Sequence, residues 1–324
     1  MYKNKLIAVV VPCFNEAKQI GKVVNTMPNY MDHIIIIDDN STDETNSVIK
    51  KLSISDQRIH LITHEKNQGV GGAIASGYKW ARDNNIDITV VMAGDAQMEP
   101  SQMPKLLDPI VADAFDYTKG NRLKYPNAYH IIPKVRFFGN QILSFFTKIA
   151  SGYWRISDAQ NGYTAINLRA LQAIDWDKMY KRYGQPNDLL VKLNIANMRV
   201  TDCIMAPIYG VGEESKMKIS RVFTTLPILL FKLFLKRIFV KYVIQDFSLI
   251  APLFYLGIFN LALFCIFFAR TLILYASNSF PEISFIISLY SLQMGIFLVL
   301  IGMYFDMQAN EKLQTDILPT NEFR

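Results

Sequence analysis

Through its first hundred residues the chain alternates short continuous apolar runs with longer segments of helical spacing. Residues 6–11 and 33–37 are rich in β-branched residues without polar alternation, the pattern of strands buried on both faces of a parallel sheet. Residues 59–63 and 88–92 extend the set. Between these runs, helices are predicted over 16–27, ending at Pro28, and over 70–84. Ser41-Thr42-Asp43-Glu44 reads as a capping box opening a further helix to about Leu52. Strands alternating with helices imply a mostly parallel sheet with right-handed crossovers. Ligands of such sheets sit beyond the carboxyl ends of the strands. Residues 12–16, 38–43, 67–73 and 93–97 are therefore the segments in which chemistry is expected.

The middle of the chain is less regular. Strands are expected at 117–120 and 162–167, and a helix at 187–197. Residues 131–150 form a long helix mixing aromatic and aliphatic side chains with Lys134, Arg136 and Lys148. It admits two readings equally: a helix lying at a membrane surface, or an amphipathic helix packed on the domain. Residues 222–244 mix cations with Leu, Ile and Phe and read as an interfacial helix, or a pair broken near Pro227. Then the pattern changes. Residues 247–269 and 283–305 each give 23 positions with no charge. Each run exceeds the roughly 20 residues that span a bilayer. A buried soluble hairpin is the competing reading, but two uncharged runs in succession are rare in soluble domains. Arg270, near the far end of the first run, is expected to snorkel.

Charge sharpens this picture. The net charge is +6, and seven of the basic residues (Lys216, Lys218, Arg221, Lys232, Lys236, Arg237 and Lys241) fall in one block without an acidic residue. Placed just before an apolar span, the block points to anionic lipid head groups and not to nucleic acid. The linker 277–282 carries no Lys or Arg. By the positive-inside rule both termini are expected in the cytoplasm, with the catalytic domain. At 51% hydrophobic residues, the chain is not a disordered one. Cys13, Cys203 and Cys265 are far apart and in no metal-ligand spacing, and the four histidines are scattered, so neither a disulfide framework nor a zinc site is indicated. The apolar run at 6–11 is too short for a signal peptide and precedes no small-residue cleavage site.

Three segments carry candidate chemistry. Asp38 and Asp39 directly follow a buried strand. They read either as acceptors for a nucleobase imide or ribose hydroxyls, or as acids decorating a helix N-terminus. Asp95 and Gln97 follow the fourth strand and offer two oxygen donors on a turn, suited to Mg²⁺ or Mn²⁺ on a diphosphate. Such an ion meets the charge that develops on a departing pyrophosphate. Residues 67–73, NQGVGGA, open a helix and could let backbone approach a phosphate, although Ile74 stands where a dinucleotide fingerprint needs its third glycine.

Together with further motifs, these segments resemble glycosyltransferase family 2, and within it the polyprenyl-phosphate sugar synthases of the dolichyl-phosphate mannose synthase type. The matching residues are Val11-Pro12-Cys13-Phe14-Asn15-Glu16, then Asp38-Asp39-Asn40-Ser41-Thr42-Asp43, then Asn67-Gln68-Gly69-Val70-Gly71. Asp95-Ala96-Gln97, Gly120-Asn121-Arg122, Arg136 with Asn140, Asp158-Ala159-Gln160-Asn161-Gly162-Tyr163 and Ser215-Lys216 follow in the family's order. The resemblance implies a GT-A fold, Rossmann-like with a mostly parallel sheet, over residues 1–215. Basic interfacial helices (216–246), a transmembrane hairpin (247–306) and a cytoplasmic tail (307–324) would follow. It also implies a UDP- or GDP-sugar donor, a divalent metal, inversion at the anomeric carbon and a polyprenyl phosphate acceptor. Pro12, Phe14, Glu16 and Asp39 would line the nucleotide pocket, joined by Asp95 and Gln97, which would hold the metal. Arg122, Arg136, Asn140 and Lys216 would meet the acceptor phosphate.

Two departures matter. Ala93 stands where the family often has the first Asp of Asp-x-Asp, and residues 209–214 lack the Arg that often precedes Gly-x-Ser-Lys. Lys216 or Lys218 is expected to take over that charge. Asp158 resembles the family's candidate base. A phosphate monoester, however, has a second pKa of about 6 and is largely ionised at neutral pH. It needs charge compensation more than deprotonation, so Asp158 is expected to orient an Arg or the acceptor. The competing functions are a processive polysaccharide synthase, against which Trp80, Trp154 and Trp176 lie outside any Gln-x-x-Arg-Trp motif, and a degenerate domain serving as a membrane scaffold. The sequence leaves the sugar, the base and a homo-oligomeric state open.

Overall fold

A computed structural model describes residues 1–94, 97–208, 219–277 and 280–314, with the backbone alone for 219–224. The order of elements is β1 (Ile7–Cys13), α1 (Ile20–Asn25), β2 (His33–Asp38), α2 (Thr45–Ser55), β3 (Ile59–Thr63), α3 (Val70–Asp83) and β4 (Ile88–Val91). There follow α4 (Pro104–Val111), β5 (Tyr117–Asn121), α5 (Ala128–Ile131), α6 (Lys134–Ser151), β6 (Thr164–Asn167), α7 (Leu168–Ala173), α8 (Gln185–Ile195) and β7 (Val200–Ile204). The strands form one sheet in the order β3-β2-β1-β4-β6-β5-β7. β6 alone runs against its neighbours, so the sheet is mostly parallel, as expected.

The continuous apolar runs follow from this placement. Along β1 and β2, Ala8, Val10, Ile35 and Ile37 enter the core beneath α3, α7 and α8. Ile7, Val9, Val11, Ile34 and Ile36 enter the other, beneath α1, α2 and α4. Both faces of each central strand are buried, so no polar alternation survives. Removing each of these Val and Ile side chains from water is worth roughly 1.5–3 kcal/mol.

Several local expectations are corrected. α1 begins only at Ile20, because residues 16–19 turn first, with the Gln19 and Ile20 amides both donating to the Glu16 carbonyl. No capping box forms: α2 is preceded by Glu44, whose side chain caps nothing. The Ser41 hydroxyl instead accepts from the Asn15 amide, and Asp43 accepts from the Ala17 and Thr45 amides. Those polar side chains tie the β1–α1 loop to the β2–α2 loop. The helix α9 (Ile219–Phe239) runs unbroken through Pro227. A proline removes one backbone hydrogen bond, while Leu226, Leu230, Leu233 and Phe234 keep a buried stripe continuous across it.

The chain divides into two compact units. One runs from Met1 to Phe234 and is rejoined at Lys312, and the other comprises Leu235–Glu311. The second holds a π-helical turn (Val240–Gln245) and two long helices, α10 (Ile250–Ala276) and α11 (Glu282–Ala309). Each is long and apolar enough to cross a membrane, and only 22% of its most hydrophobic stretch is buried by protein. Ser284, Ser288, Ser291, Gly295 and Gly302 make a buried stripe along α11. A Cβ on Gly257 would lie 2.8 Å from the Val299 side chain, and one on Gly295 2.8 Å from that of Leu261, so glycine is what lets the helices approach.

At the base of this unit the side chains of Arg237 and Asp306, both fully buried, pair through two contacts of 2.6 and 3.0 Å. The Tyr242 hydroxyl donates to Asp306 (2.7 Å), and Lys241 donates to Asn310 (2.8 Å). Breaking one partner of a buried pair leaves an uncompensated charge, which costs about 3–5 kcal/mol. Asp306→Ala should therefore lower the melting temperature of the detergent-solubilised chain sharply, whereas Arg237→Met with Asp306→Leu should leave it nearly unchanged. Equal effects of the two would contradict this.

Candidate active site

The loops beyond β1, β2 and β3 form one hydrogen-bonded rim at the carboxyl edge of the sheet. Asn15 and Asn40 adopt left-handed backbone (φ 56° and 62°), a conformation Asn tolerates where sharp turns leave a strand. The Glu16 amide donates to Thr45 Oγ1 (2.8 Å). Pro12 lies within β1, and Phe14 and Glu16 follow it on the rim with accessible side chains. Asp39 is almost fully buried. Its Oδ1 accepts from the Gln68 amide (2.8 Å) and bonds His64 Nδ1 (2.7 Å), and its Oδ2 accepts from the Gly69 amide (2.7 Å). Asp38 is committed likewise, to the Ser41 amide and Asn46. The acidic pair thus organises the rim. One lone pair of Asp39 Oδ2 remains beyond these bonds.

The glycine-rich segment after β3 serves the protein's own backbone. A Cβ on Gly71 would lie 2.3 Å from the Tyr180 carbonyl oxygen, and the Gly72 amide donates to the Lys181 carbonyl (3.1 Å). Close approach, foreseen for a phosphate, is here used to seat the start of α3. Gly94 is constrained in the same way. A Cβ there would lie 2.9 Å from Cys13 Sγ, so glycine brings the turn after β4 against the end of β1. Asp95 lies outside the described residues, as does Lys216. Gln97 is described and faces a cleft of about 130 Å³, shared with Glu99, Arg122, Gln160 and Asn161. Among the described residues no three His, Cys, Asp or Glu side chains cluster as metal ligands.

Arg122 follows β5, lines the cleft and meets Asp158 behind that wall. Asp158, fully buried and in left-handed backbone (φ 48°), accepts from Arg122 Nε (2.8 Å), Nη2 (2.9 Å) and backbone N (2.9 Å). Burial pushes its carboxyl upward, but the charge and hydrogen bonds of Arg122, and then Lys119, outweigh it and hold the group below its usual value. Asp158 is an anion committed to an arginine. Gln160 Nε2, buried at the cleft wall, has no partner among the described residues and is a donor available to a ligand.

α6 carries the remaining candidates, neither of which lines the cleft. Arg136 and Asn140 share one helical face with Ser144, Thr147 and Ser151. The Ser144 hydroxyl accepts from the Ala159 amide (3.4 Å), so this face adjoins the Asp158 turn. The opposite face exposes Val135, Phe138, Ile142, Phe145 and Phe146. Of the two readings of this helix, the uncovered apolar face favours the membrane surface.

Two charged groups beneath the cleft were not foreseen. Lys119 on β5 is completely buried and donates to the Asn161 carbonyl. Burial lowers its ammonium to about 8 although Asp158 and Asp202 pull the other way. Asp202 on β7 is its register partner. Asp202 Oδ2 accepts from the Ser157 amide (2.7 Å) and Asn121 Nδ2 (2.6 Å), while Oδ1 has no partner among the described residues. Burial raises its carboxyl to about 6 against the pull of Ser157, Lys124, Lys119 and Asn121. A lysine inside a predicted strand that is otherwise uncharged was the one available signal.

The sign for Asp202 is the reverse of the usual carboxylate. Its folded value lies above the unfolded one, so the folded state keeps the proton more tightly, and stability is lost as pH rises through about 4 to 6. At 1.36 kcal/mol per unit the effect is on the order of 3 kcal/mol. Melting temperatures of wild type and Asp202→Asn should diverge over this window, the wild type losing ground as pH rises, and run parallel above it. Parallel curves throughout would contradict the assignment.

Comparison with known proteins agrees with this arrangement. The profile of "Glycosyl transferase family 2" matches residues 8–175, just over half of the chain. A UDP-N-acetylglucosamine–dolichyl-phosphate N-acetylglucosaminyltransferase of Methanococcus voltae is 34% identical over 215 residues, covering 61% of this chain and 85% of that protein. An undecaprenyl-phosphate mannosyltransferase of Micrococcus luteus is 25% identical, covering 65% and 87% respectively. Glucosyl-3-phosphoglycerate synthase of Mycobacterium tuberculosis, crystallised with Mn²⁺, UDP-glucose and phosphoglyceric acid, superposes with a TM-score of 0.54 at 16% identity over 72% of this chain and 80% of that one. That likeness is one of fold, and it agrees with the expected GT-A architecture. From the sheet, the cleft and the matched profile together, the chain belongs to glycosyltransferase family 2 and is a glycosyltransferase.

Proposed function

We propose that this enzyme transfers a hexosyl unit from a UDP- or GDP-sugar to the phosphate of a polyprenyl phosphate at the cytoplasmic face of a membrane, with inversion and with a divalent cation. The observation that carries this reading is Arg122, fixed by both oxygens of a buried Asp158 at the wall of the cleft. A carboxylate so engaged, and held below its usual value, is poorly suited to take a proton. A sugar hydroxyl would require such a base, and an ionised phosphate does not. A fixed guanidinium is instead what a phosphate acceptor needs, because its positive charge is held at the cleft wall without reorganisation. The curated relatives named above act on dolichyl and undecaprenyl phosphates, and two helices suited to a bilayer agree with a lipid acceptor.

In this reading Pro12, Phe14, Glu16 and Asp39 receive the nucleoside, the last through its remaining lone pair. Arg136 and Asn140, on the α6 face that adjoins the Asp158 turn, join Arg122 around the acceptor phosphate. The oxygen of Gln97 in the cleft is the hard donor that Mg²⁺ or Mn²⁺ prefers, so the described donor fits. Asp95 and Gln97 would hold the ion, and it would neutralise charge on the leaving diphosphate. Lys216 or Lys218 would add to that neutralisation. Of the basic block, Arg237 and Lys241 are taken up by Asp306 and Asn310 inside the helical unit, whereas the exposed Lys232 and the uncovered face of α6 would keep the cleft near anionic head groups.

The test is direct. Full-length protein in detergent, given a short-chain polyprenyl phosphate and a panel of UDP- and GDP-sugars, should form a lipid-linked sugar from one donor class, and chelation should stop it. Arg122→Ala should reduce kcat by about 10²-fold or more, in the range seen when one preorganised charge donor is removed. No lipid-linked product from any donor, or an undiminished Arg122→Ala, would overturn the proposal.

A further inference from the structure

Lys119 and Asp202 are costly where they stand. Each is a charged group buried beneath the cleft, and neither touches the space a substrate would occupy. Buried ions are commonly no more stabilising than apolar residues of the same volume. Their bonds suggest another use. Asp202 Oδ2 binds the amide of Ser157, the residue before Asp158, and the amide side chain of Asn121, the residue before Arg122. Lys119 Nζ binds the carbonyl of Asn161, the last residue of the turn that the Asn161 amide closes onto the Asp158 carbonyl (2.9 Å). The two side chains, in register on β5 and β7, therefore hold the Asp158 turn at both ends and the Arg122 loop at its root. The turn requires holding, since it starts at a left-handed aspartate (φ 48°), a conformation that persists only when its surroundings enforce it.

We propose that Lys119 and Asp202 are positioning residues for glycosyl transfer: together they fix, from beneath, the two segments that carry Arg122 and Asp158, and so aim the Arg122 guanidinium into the cleft. The inference rests on the reading of Arg122 given above. The other charged and titratable groups facing the pair are Arg122 and Lys124 after β5, Tyr117 on β5, Cys203 on β7, Lys148 on α6 and Asp158 itself. Arg122, Lys124, Lys148 and Lys119 outnumber the two carboxylates, so the platform leaves an excess of positive charge below the site.

A stability role and a positioning role predict opposite results for an apolar replacement. Lys119→Met combined with Asp202→Leu removes both charges together and keeps most of the volume. We expect its melting temperature to equal or exceed that of wild type, its kcat to fall at least tenfold, and its KM for nucleotide sugar to stay within twofold. Lys119→Met with Asp202→Asn restores an acceptor for the Ser157 amide and should recover part of the lost turnover. The assay is release of nucleoside diphosphate in native membranes supplied with polyprenyl phosphate, which registers glycosyl transfer whatever the acceptor. Failure of the lipid-acceptor reading would show as sugar appearing elsewhere than on lipid, independently of the variants' rates. The present inference is overturned if the apolar pair turns over within twofold of wild type, if it fails to fold, or if the asparagine variant recovers nothing.

Discussion

A fully buried aspartate paired directly with an arginine at the wall of a cleft is the constraint around which the site is arranged. Asp158 could not be ionised in that position alone, since desolvation would favour the neutral acid. Arg122 supplies three hydrogen bonds and a full charge, and the carboxylate stays charged as a result. The benefit runs both ways. A guanidinium on a loop would sample many rotamers, and ordering it on contact with substrate would cost on the order of 1 kcal/mol or more. Held by both oxygens of a rigid carboxylate, it is oriented in advance.

That pair in turn depends on the sheet. β6 is the strand that reverses direction, and it lies between β4 and β5. The reversal lets the segment entering β6, which includes Asp158 and Gln160, arrive at the same edge where β4 delivers Gln97 and β5 delivers Arg122. With every strand parallel, the residues before β6 would instead lie at the opposite edge. Polar residues gather where strands of both senses meet this rim, and the backbone there is bent accordingly: left-handed φ occurs at Asn15, Asn40 and Asp158.

Much of this was legible from the chain because burial on both faces writes a strong signal. The run at Ile34–Ile37 could hardly be anything but a central strand, and β3 falls where its pattern placed it. The two uncharged runs were equally plain. Other features were illegible for identifiable reasons. Ser41 to Glu44 has the letters of a capping box, yet the Ser41 hydroxyl serves a neighbouring loop, joined there by the Asp43 carboxylate, and tertiary bonding decided the outcome. Gly69 and Gly71 announce close approach without saying to what, and the partners are the carbonyls of Lys181 and Tyr180, more than a hundred residues away. β7 and α4 were missed outright. β7 reads VTDCI, where a buried aspartate disguises a strand.

The disguise has a physical lesson. Sequence patterns treat a charge in an apolar stretch as a sign of the surface, because an isolated buried ion is so unfavourable. Lys119, Asp158 and Asp202 defeat that rule together, each made tolerable by another that no local window contains. Arg237 and Asp306 do the same in the helical unit, separated by 69 positions. In both cases the charges make sense only as members of a set assembled by the fold. A charge that interrupts an otherwise well-formed strand or helix in a transferase of this kind is therefore better read as half of a long-range pair than as an argument against the element. The place to look for its partner is the strand or helix beside it in space.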